Sequence, residues 1–354
     1  MSGPSPIEWT DATWNPTRGC TRCSPGCVNC YAERIAARFS DKGMAYEGLA
    51  KRTAAGARWT GKLRLVDEQL FAPLRWSKPR RIFVNSMSDL FHEALPVETI
   101  ARVFAVMYLA PRHTFQVLTK RAERMREVLT DARFYSQVLA AANGIRNGMG
   151  PGPYLRGRAL AETVLTGISN PTRYPAPWVW LGVSVENQQY ANERIPRLLE
   201  TPAGLRFLSC EPLLEQIDLT SRLKLADQPG IDWVIVGGES GPGARRFDVA
   251  WARRLMNQCT AAGVAFFMKQ VGANVIDRND AGFEAETEWE SDTGLPTERE
   301  AWPSPARGIE HDIDGHRDEY QGAPVRVHLN DKAGGDMAEW PFDLRRREFP
   351  EVQR

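Results

Sequence analysis

The stretch VWLGVSVENQQYANERIPRLLE, residues 179–200, changes character halfway. VWLGVSVEN (179–187) is an apolar run that ends in Ser184, Glu186 and Asn187, and YANERIPRLLE (190–200) carries helical spacing. A short apolar run closed by polar residues reads as a strand buried on both faces, and the periodic half as the helix that covers it. The same kind of run recurs as RIFVNSMSD (81–89), TFQVLTKR (114–121), LRFLSCEP (205–212), WVIVGGESG (233–241) and VAFFMKQVG (264–272). Helical patterns lie at VETIARVFAVMYLA (97–110), AERMREVLTDARFYSQVLAAAN (122–143) and VAWARRLMNQCTAAG (249–263). Strands alternating with helices over about 250 residues predict an α/β chain folded as a TIM-type (β/α) barrel, partial or nearly complete. Seven units can be counted, with the first strand placed just before Cys20 and the connection after Leu219 too short and mixed to assign.

Two stretches leave the pattern. Residues 144–178 are rich in Gly and Pro and read as an insertion between the third and fourth units. The barrel is expected over 1–273. From 274 to 354 the chain turns acidic and loop-rich, and its closing AGGDMAEWPFDLRRREFP (333–350) is expected to dock through aromatic residues.

Composition excludes several classes. With 42% hydrophobic and 25% charged residues the 354-residue chain can bury a full core, and disorder is not the default reading. Forty-five Lys and Arg balance forty-four Asp and Glu, so no global field points to nucleic acid or membrane, and any such contact must come from local patches. No run of about 18 apolar residues and no basic, then apolar, leader is present. A cytoplasmic protein without membrane partners is expected.

TRGCTRCSPGCVNCYAER (17–34) places four of six cysteines between Cys20 and Cys30. In a reducing compartment such a cluster binds metal or does chemistry. Zinc sites of two CxxC pairs usually separate the pairs by a dozen or more residues, and here three intervene. Three thiolates on a short loop suit a cubane iron-sulfur cluster with one iron left open. Zinc, or a structural or redox role, are the alternatives. Cys210 reads as a buried core thiol, with hydrogen-atom donation as the alternative, and Cys259 as core.

RGC-x6-GC-x2-CYAE resembles the cluster loop of radical S-adenosylmethionine (radical SAM) enzymes, in particular the spore photoproduct lyase branch, whose pattern is RGC-x3-GC-x2-CYA. IEWTDATWNPTRGCTRCSPGCVNCYAE, FVNSMSDLFH, VLTKRAERM, WLGVSVENQ, RFLSCEPLL and WVIVGGESGPGAR, in that order, are similar to the bacteriophage-type "gp thirty-seven/gp sixty-eight" family, a domain of unknown function akin to radical SAM proteins. The likeness runs from Ile7 to about Gly272 and resumes at AEWPFDLR. It implies a 4Fe-4S cluster held by Cys20, Cys27 and Cys30, with Cys23 spare and turned away. The superfamily's standard C-x3-C-x2-C spacing would instead select Cys23, Cys27 and Cys30. It further implies S-adenosylmethionine as cofactor, an external electron donor, and a radical reaction begun by reductive cleavage of the sulfonium.

Barrel sites lie at the C-terminal strand ends, where this sequence becomes polar. The resemblance places cofactor contacts at Ser86, Ser88 and Asp89, and a Thr-Lys pair at Thr119 and Lys120. Tyr31 stands one position after the last loop cysteine, where its ring can pack on the cluster or adenine; Asn29 occupies the position where the superfamily favours an aromatic residue. Gly-Gly-Glu at 237–239 is similar to the superfamily motif that binds the methionyl amine, but it follows a late strand. Lys120, Glu186 and Glu211 are the catalytic candidates, with an internal ion-pair network as the alternative. The expectation is that Glu239 or Glu186 faces the cofactor ammonium and Lys120 an anionic group, with Ser86, Ser88, Lys120, Glu186, Glu211 and Glu239 turned to one cavity.

RWSKPRR (75–81) sets an indole among cations, KRAERMR (120–126) follows the third strand, and Arg156 and Arg158 lie in the insertion. Aromatic residues among cations suit extruded or single-stranded bases, so a nucleobase, nucleoside or nucleic acid is the substrate class entertained. The reading from another class is a non-catalytic, iron-sulfur- or zinc-bearing nucleic-acid-binding protein.

Overall fold

Seven short apolar strands pair side by side in parallel, in the order in which the chain makes them: β1 (Ala12–Trp14), β2 (Arg81–Val84), β3 (Thr114–Thr119), β4 (Val179–Ser184), β5 (Leu205–Cys210), β6 (Trp233–Gly237) and β7 (Ala265–Gln270). Gly3–Pro4 adds an antiparallel edge to β1. The computed structural model describes residues 3–149, 176–223, 230–277, 325–327, 329, 331 and 333–351. Every residue of β4 and β6 is buried, as a parallel sheet covered on both faces requires.

The sheet curls into a half-barrel. Trp9 lies 4.6 Å from the Phe83 ring on β2 and 6.3 Å from the Trp233 ring on β6. Four steps along a flat sheet would hold β2 and β6 about 19 Å apart. Trp180, Phe207 and Phe267 complete this aromatic core on the inner face, near the strands' N-terminal ends. The convex face buries a second, larger core of mixed aliphatic and aromatic residues under α2 (Val97–Leu109), α3 (Ala122–Thr130), α4 (Ala132–Met149), α5 (Gln188–Leu199) and α6 (Val249–Ala262), α1 (Tyr31–Arg38) lying apart from it near the strand ends.

The C-terminal residues lie along the free edge of β7. Met268 N donates to Arg346 O and Glu348 N to Phe266 O. Phe349 stacks between Trp233, at 5.4 Å, and the Arg81 guanidinium, at 4.0 Å. The tail therefore docks through aromatic residues on the N-terminal end of the half-barrel.

Four boundaries differ from the sequence expectation. The first strand is Ala12–Trp14, not the residues just before Cys20; Thr17–Arg18 pairs antiparallel with Arg64–Leu65 instead. The helix expected over 122–143 is two helices, because Asp131 is extended (ψ 115). α4 runs to Met149, past the start expected for the insertion, whose residues 150–175, with Arg156 and Arg158, lie outside the described residues. Of the C-terminal extension, Val275–Asp277 pairs with Phe247–Asp248 and Val325–Val327, which ties the start of that region back to the α6 end of the sheet. Among the described residues no helix is long and apolar enough to cross a membrane.

Candidate functional site

The loop between β1 and α1 folds over the C-terminal ends of the strands. Gly19 opens it at φ +95, where a Cβ would lie 2.1 Å from Lys62 O, so both its backbone sign and its contact demand glycine. A bridge joins Gly19 to Ser88 beyond β2. Pro25–Cys27 forms one 3-10 turn, and Cys30 precedes the first turn of α1.

The four thiols share one neighbourhood. Burial first, then the Asp89 carboxylate, pushes the Cys20 thiol up to about 12 against the pull of Arg121, and the nearby Cys30 and Cys27 add to the rise. Arg121 Nη1 stands 4.0 Å from Cys20 Sγ. Cys30 is raised by burial and by Cys27. Cys23 and Cys27 interact, which lowers Cys27 and raises Cys23. Cys23 is exposed but interacts with Cys27, whereas the resemblance had it spare and turned away. Among the described residues no three His, Cys, Asp or Glu side chains are gathered as a ready metal site. The donor set still fits a cluster chemically, because three or four thiols on one short loop feel one another's charge and lie beside Lys120 and Arg121, cations that favour thiolates.

Side chains beyond the strands hold this loop. Glu186, fully buried after β4, accepts from Ser24 Oγ (2.6 Å), Lys120 Nζ (2.7 Å) and Arg194 Nη1 (2.9 Å). Burial opposes its charge, but Lys120 and Arg194 outweigh burial and hold the carboxyl down at about 2. Glu239, after β6, accepts from Asn29 Nδ2 (2.8 Å), Arg245 N (2.9 Å) and Arg245 Nε (3.1 Å). Asp89 accepts from Thr119 Oγ1 (2.7 Å), Lys120 N (3.1 Å), Phe91 N (3.0 Å) and Arg121 Nη1 (3.0 Å). Ser86 bonds Asn15, and Ser88 bonds Thr17 Oγ1 and O at 3.0 Å. Tyr31 reaches across to Ser86 O at 2.7 Å.

The predicted residues therefore meet at one end of the sheet, but mostly as partners of one another. Lys120 and Glu186 pair together, and Glu239 already has a cation in Arg245, so neither carboxylate stands free for an ammonium ligand. Glu186 and Glu239 position the cysteine loop. The Lys269 Nζ to Glu211 Oε1 pair (2.9 Å) spans the ends of β7 and β5 without a bond to that loop, and both side chains are only partly buried. Ser24, Asn29, Arg121, Arg194 and Arg245 were missed from the sequence. Arg194 lies in a helix repeat where a cation reads as solvated, and only the fold turns it toward Glu186. Cys210 and Cys259 are buried in the core.

Of the two basic stretches flanking strands, 120–126 is engaged, whereas in 75–81 Arg81 has an acidic partner and Arg80 stacks on Trp76. Arg81 binds Asp11 and stacks on Phe349 at the end opposite the cysteine loop. Lys120, Arg121 and Arg126 bind Glu186, Asp89 with Glu93, and Glu123 with Glu200.

No curated protein and no solved structure matches this chain. A family match does, over residues 4–328, a span that takes in all seven parallel strands and the four-cysteine loop. The chain belongs to the family described as "Protein of unknown function (DUF5131)".

Proposed function

We propose that this protein is a radical SAM iron-sulfur enzyme whose reactive end is the C-terminal mouth of the half-barrel. The observation that carries the reading is the four-thiol loop, tied over the polar strand ends through Ser24 to Glu186, Asn29 to Glu239 and Cys20 to Arg121. Cys20, Cys27 and Cys30 would hold a 4Fe-4S cluster. When bound, the cluster supplies the single electron that cleaves the sulfonium of S-adenosylmethionine. The chain's own work is then positional. Glu186 and Glu239 fix the loop from two strands, Arg121 and Lys120 offset thiolate charge, and the aromatic inner core closes the far end to water. The Glu211–Lys269 pair, partly buried and not bonded to the loop, is a polar pair at the mouth that a ligand can meet.

The test is anaerobic reconstitution with iron and sulfide, followed by dithionite and S-adenosylmethionine. Brown protein with about four irons per chain that releases 5'-deoxyadenosine supports the proposal. Colourless protein that binds one zinc and forms no deoxyadenosine overturns it in favour of a metal-bearing binding protein.

A further inference from the structure

Residues 34–64 contain eight Lys or Arg against only Asp41 and Glu47, in a chain whose charges balance as a whole. They build one module on the rim of the mouth. α1 packs Ala32, Ala36 and Ala37 against the antiparallel hairpin Ala50–Thr53/Gly56–Trp59, with Tyr46, Leu49 and Met87 in the same small core. Glu33, 2% exposed, joins this module to the cysteine loop: it accepts from Arg22 Nε at 2.9 Å and from Trp59 N at 2.7 Å.

The outward positions are cationic. Tyr31, Arg34 and Arg38 share the exposed face of α1, a stripe about 10 Å long. It starts at the mouth, where Tyr31 bonds Ser86 O and Arg34 lies against the Gly241 backbone beyond β6. Strand alternation turns Ala50, Ala57 and Trp59 to α1, and Lys51 and Arg58 away from it. Lys51 and Arg58 are directly opposite across the hairpin, a like-charge pair that costs stability without a counterion. Both acidic residues of the segment are engaged, Asp41 with Arg52 and Glu47 with Gly43 N. Among the described residues none of Arg34, Arg38, Lys42, Lys51, Arg58 and Lys62 has a carboxylate partner, in contrast to Lys120, Arg121 and Arg126. Tyr31 and Phe39, both at least 40% exposed, set aromatic faces among them.

We infer that α1 and the hairpin form a docking surface for a single-stranded nucleic acid, which leads the strand to the mouth. Unpaired cations spaced along an exposed stripe match a phosphodiester backbone, and interleaved rings match unstacked bases. That the bound strand is also the substrate rests on the radical reading above; the binding does not.

Anisotropy with fluorescein-labelled single strands of about twelve nucleotides, as DNA and as RNA, tests this across a salt series. The double variants Arg34→Gln/Arg38→Gln and Lys51→Gln/Arg58→Gln should each raise Kd several-fold and make the log-log salt slope shallower by about 1.4. Arg133→Gln, on the outer helical layer, should change neither. Should either double variant fail to fold, Lys42→Gln/Lys62→Gln replaces it. Unchanged Kd and slope in the variants, absent binding, or equal or tighter binding of duplex or of phosphatidylserine vesicles overturns the inference. Binding is measured with and without reconstituted iron, so binding without deoxyadenosine leaves the surface standing while the radical reading fails.

Discussion

Cys23 differs from Cys20, Cys27 and Cys30 in its exposure: Cys27 is buried and Cys20 and Cys30 are partly buried. Cys20 and Cys23 both feel the Arg121 guanidinium, which stands 4.0 Å from Cys20 Sγ. Replacing Cys20, Cys27 or Cys30 by Ala should remove most reconstituted iron and Cys23→Ala should retain it, as iron analysis will read. Loss in Cys23→Ala with retention in Cys20→Ala would assign the C-x3-C-x2-C set. Glu186 is the residue on which the loop's support converges. Glu186→Gln leaves Lys120 and Arg194 without their carboxylate, and breaking such a buried pair costs about 3–5 kcal/mol. Its thermal unfolding should fall accordingly. The wild-type carboxylate, held at about 2 against an ordinary 4.5, stabilises the fold above pH 4.5. That contribution is lost as pH falls from 4.5 toward 2, and the loss should be absent in Glu186→Gln.

At the scale of elements, the 3-10 turn of the cysteine loop rests on Glu186 itself. A Cβ at Gly26 would lie 2.3 Å from Glu186 Oε1. Gly26→Ala must therefore move the turn or the carboxylate, at a cost of about 1–3 kcal/mol. Iron retention should drop with little change in far-ultraviolet circular dichroism; full retention would show that the turn is not held by this contact. His113, at the start of β3, offers its ring Nε2 to Pro73 O at 3.0 Å. Burial holds its ring down at about 4 against an ordinary 6.5. The unfolded chain thus takes up the proton first, and stability declines as pH falls from 6.5 toward 4. His113→Gln, which can still donate to Pro73, should flatten the melting-temperature profile over that interval.

Over the whole molecule, the half-barrel has two unlike ends. The N-terminal end is an aromatic plug that includes Phe349 from the tail, and the C-terminal end carries the cysteine loop and the ion pairs. Removing the residues after Leu344 would strip the partners of Phe266 and Met268 from β7 and uncover Trp233 and Phe267. An exposed parallel edge beside bared aromatic rings invites association. The truncated chain should melt at lower temperature and aggregate in light scattering, with the cysteine loop, at the other end, still able to take up iron at low temperature.

Six of the seven parallel strands and most helices were legible in the sequence, because a strand buried on both faces must be apolar throughout and its covering helix must repeat at helical spacing. The four cysteines were legible as one candidate metal-binding loop because their spacing is local. Their supports were not. Glu186 and Glu239 looked like open site carboxylates, and only folding brought Arg194, eight residues along a helix, and Arg245, across a turn, to them. The first strand was also misplaced, since three residues flanked by polar ones show no apolar run, and pairing with β2 alone makes Ala12–Trp14 a strand. Local pattern reports what a residue's own neighbours along the chain demand, whereas which charge meets which is settled by contacts that close only when the sheet curls.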